Sequence, residues 1–202
     1  ADGLERAGEL IRSGELVAFP TETVYGLGAN AYLAESARKV YAAKGRPSDN
    51  PLIVHVNDSA DASLFAETNE TYKKLAKQFM PGPLTVILPK KDVIPDEVTG
   101  GLRTVAVRCP SNPIARELIR RSGVPIAAPS ANLSGKPSPT CAEHVMQDMD
   151  GRIAMVIDGG ECEIGLESTV IAVSGNSANV LRPGAVTPDM LRSAGIAVTV
   201  DE

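Results

Sequence analysis

Lys44 and Arg46 stand two residues apart, separated by Gly45 and followed at once by Pro47, in the stretch KGRPSDNPLIVHV (Lys44 to Val56). Two fixed cations beside a Pro-stiffened polar loop suit an oligophosphate or a carboxylate, because charge-assisted N–H donors make strong hydrogen bonds to anionic oxygen. The competing explanation is a solvated helix C-terminus, where Lys and Arg are favoured by the helix dipole. A second polar stretch, PIAAPSANLSGKPSPT (Pro125 to Thr140), carries Ser130, Asn132 and Ser138 on a loop shaped by Gly and Pro. Such a loop offers hydroxyl and amide groups for hydrogen bonding. Arg108 ends the run TVAVR and precedes Cys109-Pro110. Its guanidinium can grip a carboxylate with two parallel N–H bonds, which Lys cannot do, or it can serve a surface ion pair. His55 lies in an apolar run, where a satisfied core histidine is the plain alternative to a ligand contact. Thr21 and Glu22 read as capping or turn residues without chemistry, and Ser168 and Thr169 as strand residues. Asp158, before Gly159-Gly160, reads as a turn former, and Cys109 as a small buried hydrophobe.

Several familiar signatures are absent. LSGKPS (Leu133 to Ser138) imitates the tail of a phosphate-binding P-loop, but Ser130 stands where that pattern needs Gly, and Pro137 follows the Lys. There is no GxGxxG behind a strand, no GxSxG and no HExxH. With His55 and His144 as its only histidines, the chain offers no His-based metal site.

The elements that must position these groups follow from periodicity. Leu4, Ala7, Leu10 and Ile11 give one apolar face of a helix ending near Gly14, and LVAF (Leu16 to Phe19) reads as a strand. PTETVYGLG reads as the loop after it. Ala34, Ala37, Val40 and Tyr41 mark a helix ending at Gly45, followed by a strand from Leu52 to Val56. A helix through Tyr72, Leu75, Ala76 and Phe79 stops at Pro81-Gly82-Pro83, and strands follow at Leu84 to Leu88 and Thr104 to Arg108. Asn112 and Pro113 open a helix that ends at Gly123, and Ile126 to Ala128 is a brief strand. Thr140 and Glu143 predict a capping box for the next helix. Strands at Ile153 to Ile157, Ser168 to Val173 and Asn179 to Leu181 precede a short helix at Thr187-Pro188 and an edge strand, Ile196 to Val200. Interleaved helices and strands without repeats predict one α/β domain over residues 1–202, with a mixed sheet. Ligands in open α/β sheets sit beyond strand ends, so the polar loops are expected to build a small-molecule site there.

The totals narrow the function. Of 202 residues, 43% are hydrophobic but only 3% aromatic, and the net charge is −5. That balance argues against a general nucleic-acid binder relying on a basic surface and aromatic stacking. Three widely spaced cysteines without a CxxC read as reduced thiols. No apolar run approaches a membrane span and no signal peptide is read before the first helix, so a cytoplasmic protein is expected.

Seven stretches in order are similar to the YrdC family: FPTETVYGLGANA, KGRPSDNPLIVHV, PGPLTVIL, TVAVRCP, PIAAPSANLSGKPSPT, LESTVI and LRPGAVT. The resemblance covers roughly Leu4 to Ile196. It implies a twisted mixed sheet flanked by helices, with loops building a concave basic site. It implies a nucleotidyltransferase that makes threonylcarbamoyl-adenylate and pyrophosphate from L-threonine, bicarbonate and ATP, with Mg2+ bridging the phosphates. The product would feed the threonylcarbamoyl-transfer machinery of tRNA t6A modification, with at most weak RNA binding by this chain and no membrane. The family's K-x-R pair falls on Lys44 and Arg46 and its S-x-N pair on Ser130 and Asn132, as catalytic residues. By the same matching Arg46, Asn50, Thr104, Ser130, Ser138 and Arg182 contact ATP. Thr23, His55, Arg108, Ala128 (through its backbone) and Ser168 hold L-threonine, and no residue is assigned to a metal. Lys44 and Arg46 are expected to act on the triphosphate and to carry little stability. Some members continue into a linker and a second domain after the region of Val200, so the chain corresponds to a short form or to the catalytic part of a long one. Two rival readings are a non-catalytic RNA-binding or ribosome-associated module, and the carbamoyl-adenylate-forming domain of a hydrogenase-maturation carbamoyltransferase.

Overall fold

The computed structural model describes residues 2–202. Its first helix, α1 (Asp2–Ser13), leads into the strands β1 (Val17–Pro20) and β2 (Tyr25–Asn30), then α2 (Ala34–Lys44) and β3 (Ile53–His55). A 3-10 turn at Ser59–Leu64 precedes α3 (Glu70–Phe79) and β4 (Leu84–Pro89), followed by α4 (Asp96–Thr99) and β5 (Thr104–Arg108). The rest is α5 (Pro113–Ser122), β6 (Ile126–Ala128), α6 (Ala142–Met149), β7 (Met155–Val156), β8 (Thr169–Ser174), β9 (Ser177–Arg182), α7 (Pro188–Ser193) and β10 (Ala197–Val200). The strands join into one sheet in the order β10-β9-β8-β4-β5-β3-β6-β2-β1-β7. Parallel pairs (β3/β5, β4/β8, β9/β10, β1/β7) are interspersed with antiparallel ones, three of which (β3/β6, β6/β2, β2/β1) are consecutive, so the sheet is mixed as predicted. Among the described residues no helix is long and apolar enough to cross a membrane.

Helix ends follow local chemistry. Gly45 closes α2 at φ 64°, its N–H reaching Ala42 O and that of Arg46 reaching Tyr41 O. A residue without Cβ takes that left-handed position at no steric cost. Asn112 caps α5 through the N–H groups of Ile114 and Ala115, with Pro113 in the first turn. The capping box expected at Thr140 and Glu143 is not formed. Cys141, with no side-chain cap bond, is the N-cap of α6, and the Thr140 carbonyl accepts from the Cys162 N–H.

The PTETVYGLG segment departs most from expectation. Only its first residues turn; Tyr25–Asn30 is a strand, antiparallel to β1 and buried throughout. Burial on both faces removes the polar alternation by which a strand is recognised. Gly26 and Gly28 make room for the Phe19 ring: a Cβ on Gly28 would lie 2.9 Å from Phe19 Cε1 and 3.0 Å from both Ile126 Cγ2 and Val17 O. At the far edge, only Met155–Val156 of the run expected at Ile153 to Ile157 pairs as a strand, whereas β9 is longer than Asn179 to Leu181.

Two clusters form the core, one on each face of the sheet. The larger runs along its whole length and takes Ala18, Leu27, Val54, Val86, Val107, Ala127 and Ile171 from the strands against side chains of α2, α3, α4, α6 and α7. The smaller holds the other face at one end only, where α1 (Ala7, Ile11) and α5 (Ala115, Leu118, Ile119) pack on Val17, Phe19, Ile126 and Ala128. Alternate residues of a strand point to opposite faces. In β3, β4, β5 and β8, Ile53, Ile87, Ala106 and Val170 therefore share the second face, where they are only partly covered while their neighbours are buried. Among the described residues no helix packs on the middle of that face.

Gly28→Ala is expected to destabilise the fold by roughly 1–3 kcal/mol through overpacking against Phe19 and Ile126. Urea unfolding should show a lower midpoint at an unchanged slope. An unaltered midpoint would contradict the contact between β2 and the Phe19 ring.

Candidate functional site

The uncovered stretch of sheet is the floor of a cleft of about 210 Å3. Ile53, His55, Ile87, Ala106, Arg108 and Val170 form the floor. One wall is the segment after α2, with Arg46 and Asn50, and the loop after β6, with Ser130; the facing wall is Glu167, Ser168 and Arg182. The turn between β1 and β2 closes one end with Thr21 and Thr23. The expected site beyond strand ends is thus corrected in one respect: the strands themselves supply its floor, because one sheet face lacks a helix there.

Arg108 ends β5 and is 4% exposed. Its Nη2 donates to Glu22 Oε1, and its Nη1 to Thr23 Oγ1 at 2.9 Å. Glu22, equally buried, accepts at Oε2 from the Ser111 N–H (2.8 Å) and hydroxyl (2.7 Å). Burial alone would raise the Glu22 pKa, but the Arg108 guanidinium and the Ser111 donors hold it below the usual carboxylate range. Arg108 Nε is buried and has no hydrogen-bond partner among the described residues. The surface ion pair weighed for Arg108 is instead a buried one, and Glu22, read in the sequence as a turn residue, is its counter-ion. No local signal marks Glu22 in the sequence, where the stretch reads as a polar loop; its burial, and with it the need for a partner, appears only in the fold.

On the facing wall Arg182 donates from Nε to Ser168 O (3.0 Å), from Nη2 to Ser168 Oγ (3.1 Å) and from Nη1 to Glu167 Oε2 (2.7 Å). The Ser168 hydroxyl also meets Thr85 Oγ1 at 2.8 Å, and Ser138 Oγ donates to Glu167 Oε1 at 2.7 Å. Ser138 therefore reaches the cleft through Glu167, although it does not line it. Thr85 and Glu167 were not singled out in the sequence. Thr104 is exposed at the opposite end of β5 from Arg108 and shares the face of Ala106, so it continues the floor outward.

The two cations of the K-x-R pair lie in different surroundings. Arg46 faces the cleft and donates to Asn50 O (3.2 Å) and Pro51 O (2.9 Å). Lys44 is 3% exposed, and its ammonium donates to Ser130 O and to Asn132 O (2.7 Å). Burial, and then Arg46, lower its pKa to about 8. The Asn132 amide donates to Leu133 O and Lys136 O. Lys44 and Asn132 thus shape the loop that presents Ser130 and do not line the cleft themselves. The expected loop-end placement of Lys44 is corrected: its ammonium is buried and held by carbonyls.

His55 lines the cleft floor and packs edge-on to Phe19, ring centroids 5.9 Å apart. Its Nδ1 lies 3.0 Å from Ile53 O and 3.2 Å from Ile126 O. Both partners only accept, so Nδ1 carries the proton and Nε2 is left as an acceptor. Burial, and then Arg108, push the His55 pKa down to about 4. Ala128, at the end of β6 and opposite Ile53, is 2% exposed. Thr23, Arg46, Asn50, His55, Arg108, Ala128, Ser130, Ser168 and Arg182 therefore share one cleft, whereas Lys44, Thr104, Asn132 and Ser138 stand behind or beyond it.

A family model, Sua5_yciO_yrdC, described as telomere recombination, matches residues 9–184. The threonylcarbamoyl-AMP synthase of Bacillus subtilis (strain 168) is 54% identical over 201 residues, spanning 98% of this chain and 58% of that protein. The threonylcarbamoyl-AMP synthase of Pyrococcus abyssi is 56% identical over 179 residues, 88% of this chain and 53% of that protein. The crystal structure of P. abyssi Sua5 complexed with L-threonine superposes with a TM-score of 0.93 at 51% identity, covering 96% of this chain and 58% of that one. The chain spans little more than half the length of these relatives.

A histidine held neutral by burial sets a sign for stability. With a folded pKa near 4 and an ordinary value of 6.5, the unfolded chain binds more protons between these limits, so stability falls as pH drops below about 6.5. The His55 contribution should amount to about 2 kcal/mol between pH 7.5 and pH 5, read as a shift in the urea midpoint. His55→Gln should flatten that slope. An equally steep slope in the variant would assign the effect to other groups.

Proposed function

The chain belongs to the Sua5/YciO/YrdC family, and from that premise we propose that residues 1–202 are a synthase domain forming threonylcarbamoyl-adenylate and pyrophosphate from L-threonine, bicarbonate and ATP. The observation that carries this reading is the cleft itself. A buried Arg108, Thr23 and His55 lie toward one end, and Arg46 and Arg182 stand on facing walls. The first group suits a small amino acid, and the second the phosphates of a nucleotide.

The threonine amine takes up CO2 from bicarbonate to give an N-carboxylate. One of its oxygens attacks the α-phosphorus, the bond to the bridging oxygen breaks and pyrophosphate leaves. The nucleophile is weak and the protein forms no covalent bond, so rate comes from positioning and from stabilising charge on the phosphates. Arg108 binds the threonine carboxylate with the N–H groups not given to Glu22 and Thr23. Thr23, Ser168, His55 and the Ala128 backbone bound the rest of the amino acid. Arg46, Asn50, Ser130 and Arg182 hold the nucleotide, Thr104 and Ser138 extend its contacts outward, and Lys44 and Asn132 fix the loop that carries Ser130. Mg2+ would enter with ATP as part of the substrate, since this ion usually keeps several waters and needs few protein ligands. The adenylate then passes, in the cytoplasm, to the threonylcarbamoyl-transfer machinery acting on tRNA. Any RNA binding by this acidic chain alone is weak and salt-sensitive.

Pyrophosphate release is expected to require ATP, L-threonine and bicarbonate together. Equal release without threonine would overturn the synthase reading in favour of a pyrophosphatase. In a second test, Arg108→Lys keeps the charge and loses the fork, so threonine affinity should fall about five- to 150-fold, a cost of about 1–3 kcal/mol, with ATP affinity little changed. Separate calorimetric titrations decide it, and loss of ATP with threonine spared would reverse the two ends of the cleft.

A further inference from the structure

Three guanidiniums line the cleft, from Arg46, Arg108 and Arg182. Arg108 and Arg182 each have an acidic partner, Glu22 and Glu167 respectively. Arg46 gives its donors to backbone carbonyls, so the uncompensated positive charge is its own. The two ion pairs also differ in solvent. Arg182 and Glu167 are 37% and 34% exposed, so water screens them, whereas Arg108 and Glu22 are 4% and 5% exposed and act on a ligand almost unscreened.

Both Glu22 oxygens are occupied, one by Arg108 and the other by the Ser111 N–H and hydroxyl. A carboxylate so saturated is poorly placed to take a proton from a substrate, and what it supplies is fixed negative charge. Arg108, by contrast, retains an N–H without a partner among the described residues.

We propose that Glu22 is a specificity-determining residue: it holds the Arg108 end of the cleft at zero net charge, so that this end admits a zwitterionic α-amino acid and refuses phosphate, and polyphosphate is drawn to Arg46. The inference rests on the reading that L-threonine and ATP share this cleft. A phosphate at Arg108 would meet the Glu22 charge across a poorly screened gap and gain little. An α-amino acid brings an ammonium along with its carboxylate, so the same pair of charges favours it. A buried guanidinium without its carboxylate would attract either anion, and the triphosphate is the more highly charged.

The test uses the full chain and two probes, L-threonine and inorganic phosphate, titrated separately and in competition by calorimetry. Glu22→Gln keeps the shape and removes the charge. Phosphate affinity should rise roughly tenfold or more and become competitive with threonine, while threonine affinity falls. A folded Glu22→Gln protein that binds phosphate as weakly as the parent overturns the proposal. The double variant Glu22→Gln, Arg108→Gln carries the test if the single one does not fold, because removing both members of a buried pair leaves no lone charge. It should lose threonine and keep the parent's phosphate affinity. A fall in phosphate affinity would show that Arg108 binds phosphate in the parent, which the proposal forbids. If the parent itself binds no L-threonine, the assignment of the cleft to threonine fails, whatever Glu22 does.

Discussion

An uneven distribution of helices over one sheet governs this molecule. The larger core seals one face along its full length, while α1 and α5 seal the other face only over β1, β2 and β6. Strands in the middle of that second face have nothing apolar to pack against. Side chains from the segments after α2 and β6, from the β1–β2 turn and from the residues just before β8 rim the space instead, and a concave surface results. A depression floored by hydrogen-bonded strands needs no induced order to exist, so its polar groups are held in place before a ligand arrives.

Buried charge is the cost of such a surface, and the structure meets it locally. Arg108 sits at the last position of β5, flanked by His55 on β3 and Thr85 on β4 at the same register. Desolvating its guanidinium would be prohibitive without Glu22 and Thr23. Lys44 is handled differently: carbonyl dipoles from Ser130 and Asn132 hold the ammonium in place of water, while burial, and then the Arg46 charge, lower its pKa. One cation is matched by a full charge and the other by dipoles. The first retains a field that a ligand can feel, while the second is absorbed into the framework.

The scaffold was largely legible in the sequence because its helices are amphipathic and end at caps of recognisable chemistry, such as Asn112-Pro113, Gly45 and Thr187. What periodicity could not give was β2, where burial on both sides and two glycines erase the alternation. Nor could it give α4 or the 3-10 turn, which are too short to develop a period. Residues of the cleft were legible mainly through the loops they share with the YrdC family. That correspondence points to polar groups without saying how deep each one lies. It therefore grouped Lys44 with Arg46, although two residues of helix end send one side chain inward and leave the other at the cleft. It also passed over Glu22, whose importance arises only when β5 brings Arg108 beside it. Pairings between residues 86 positions apart are created by the topology and leave no local trace.

The contacts of Lys44 run in both directions. Its ammonium holds Ser130 O and Asn132 O, and its own carbonyl accepts the Ser134 N–H at 2.9 Å. The end of α2 and the loop after β6 are therefore latched at several points, so Arg46 and Ser130 belong to a single jaw. The facing jaw, Ser168 with Arg182, is tied to the sheet through Thr85. The Ser138–Glu167 bond spans the two jaws, so any change in the width of the cleft has to break or carry that link while the spacing inside each jaw is preserved. A ligand that bridges Arg46 and Arg182 would act as a clasp, measuring the gap between two preassembled halves.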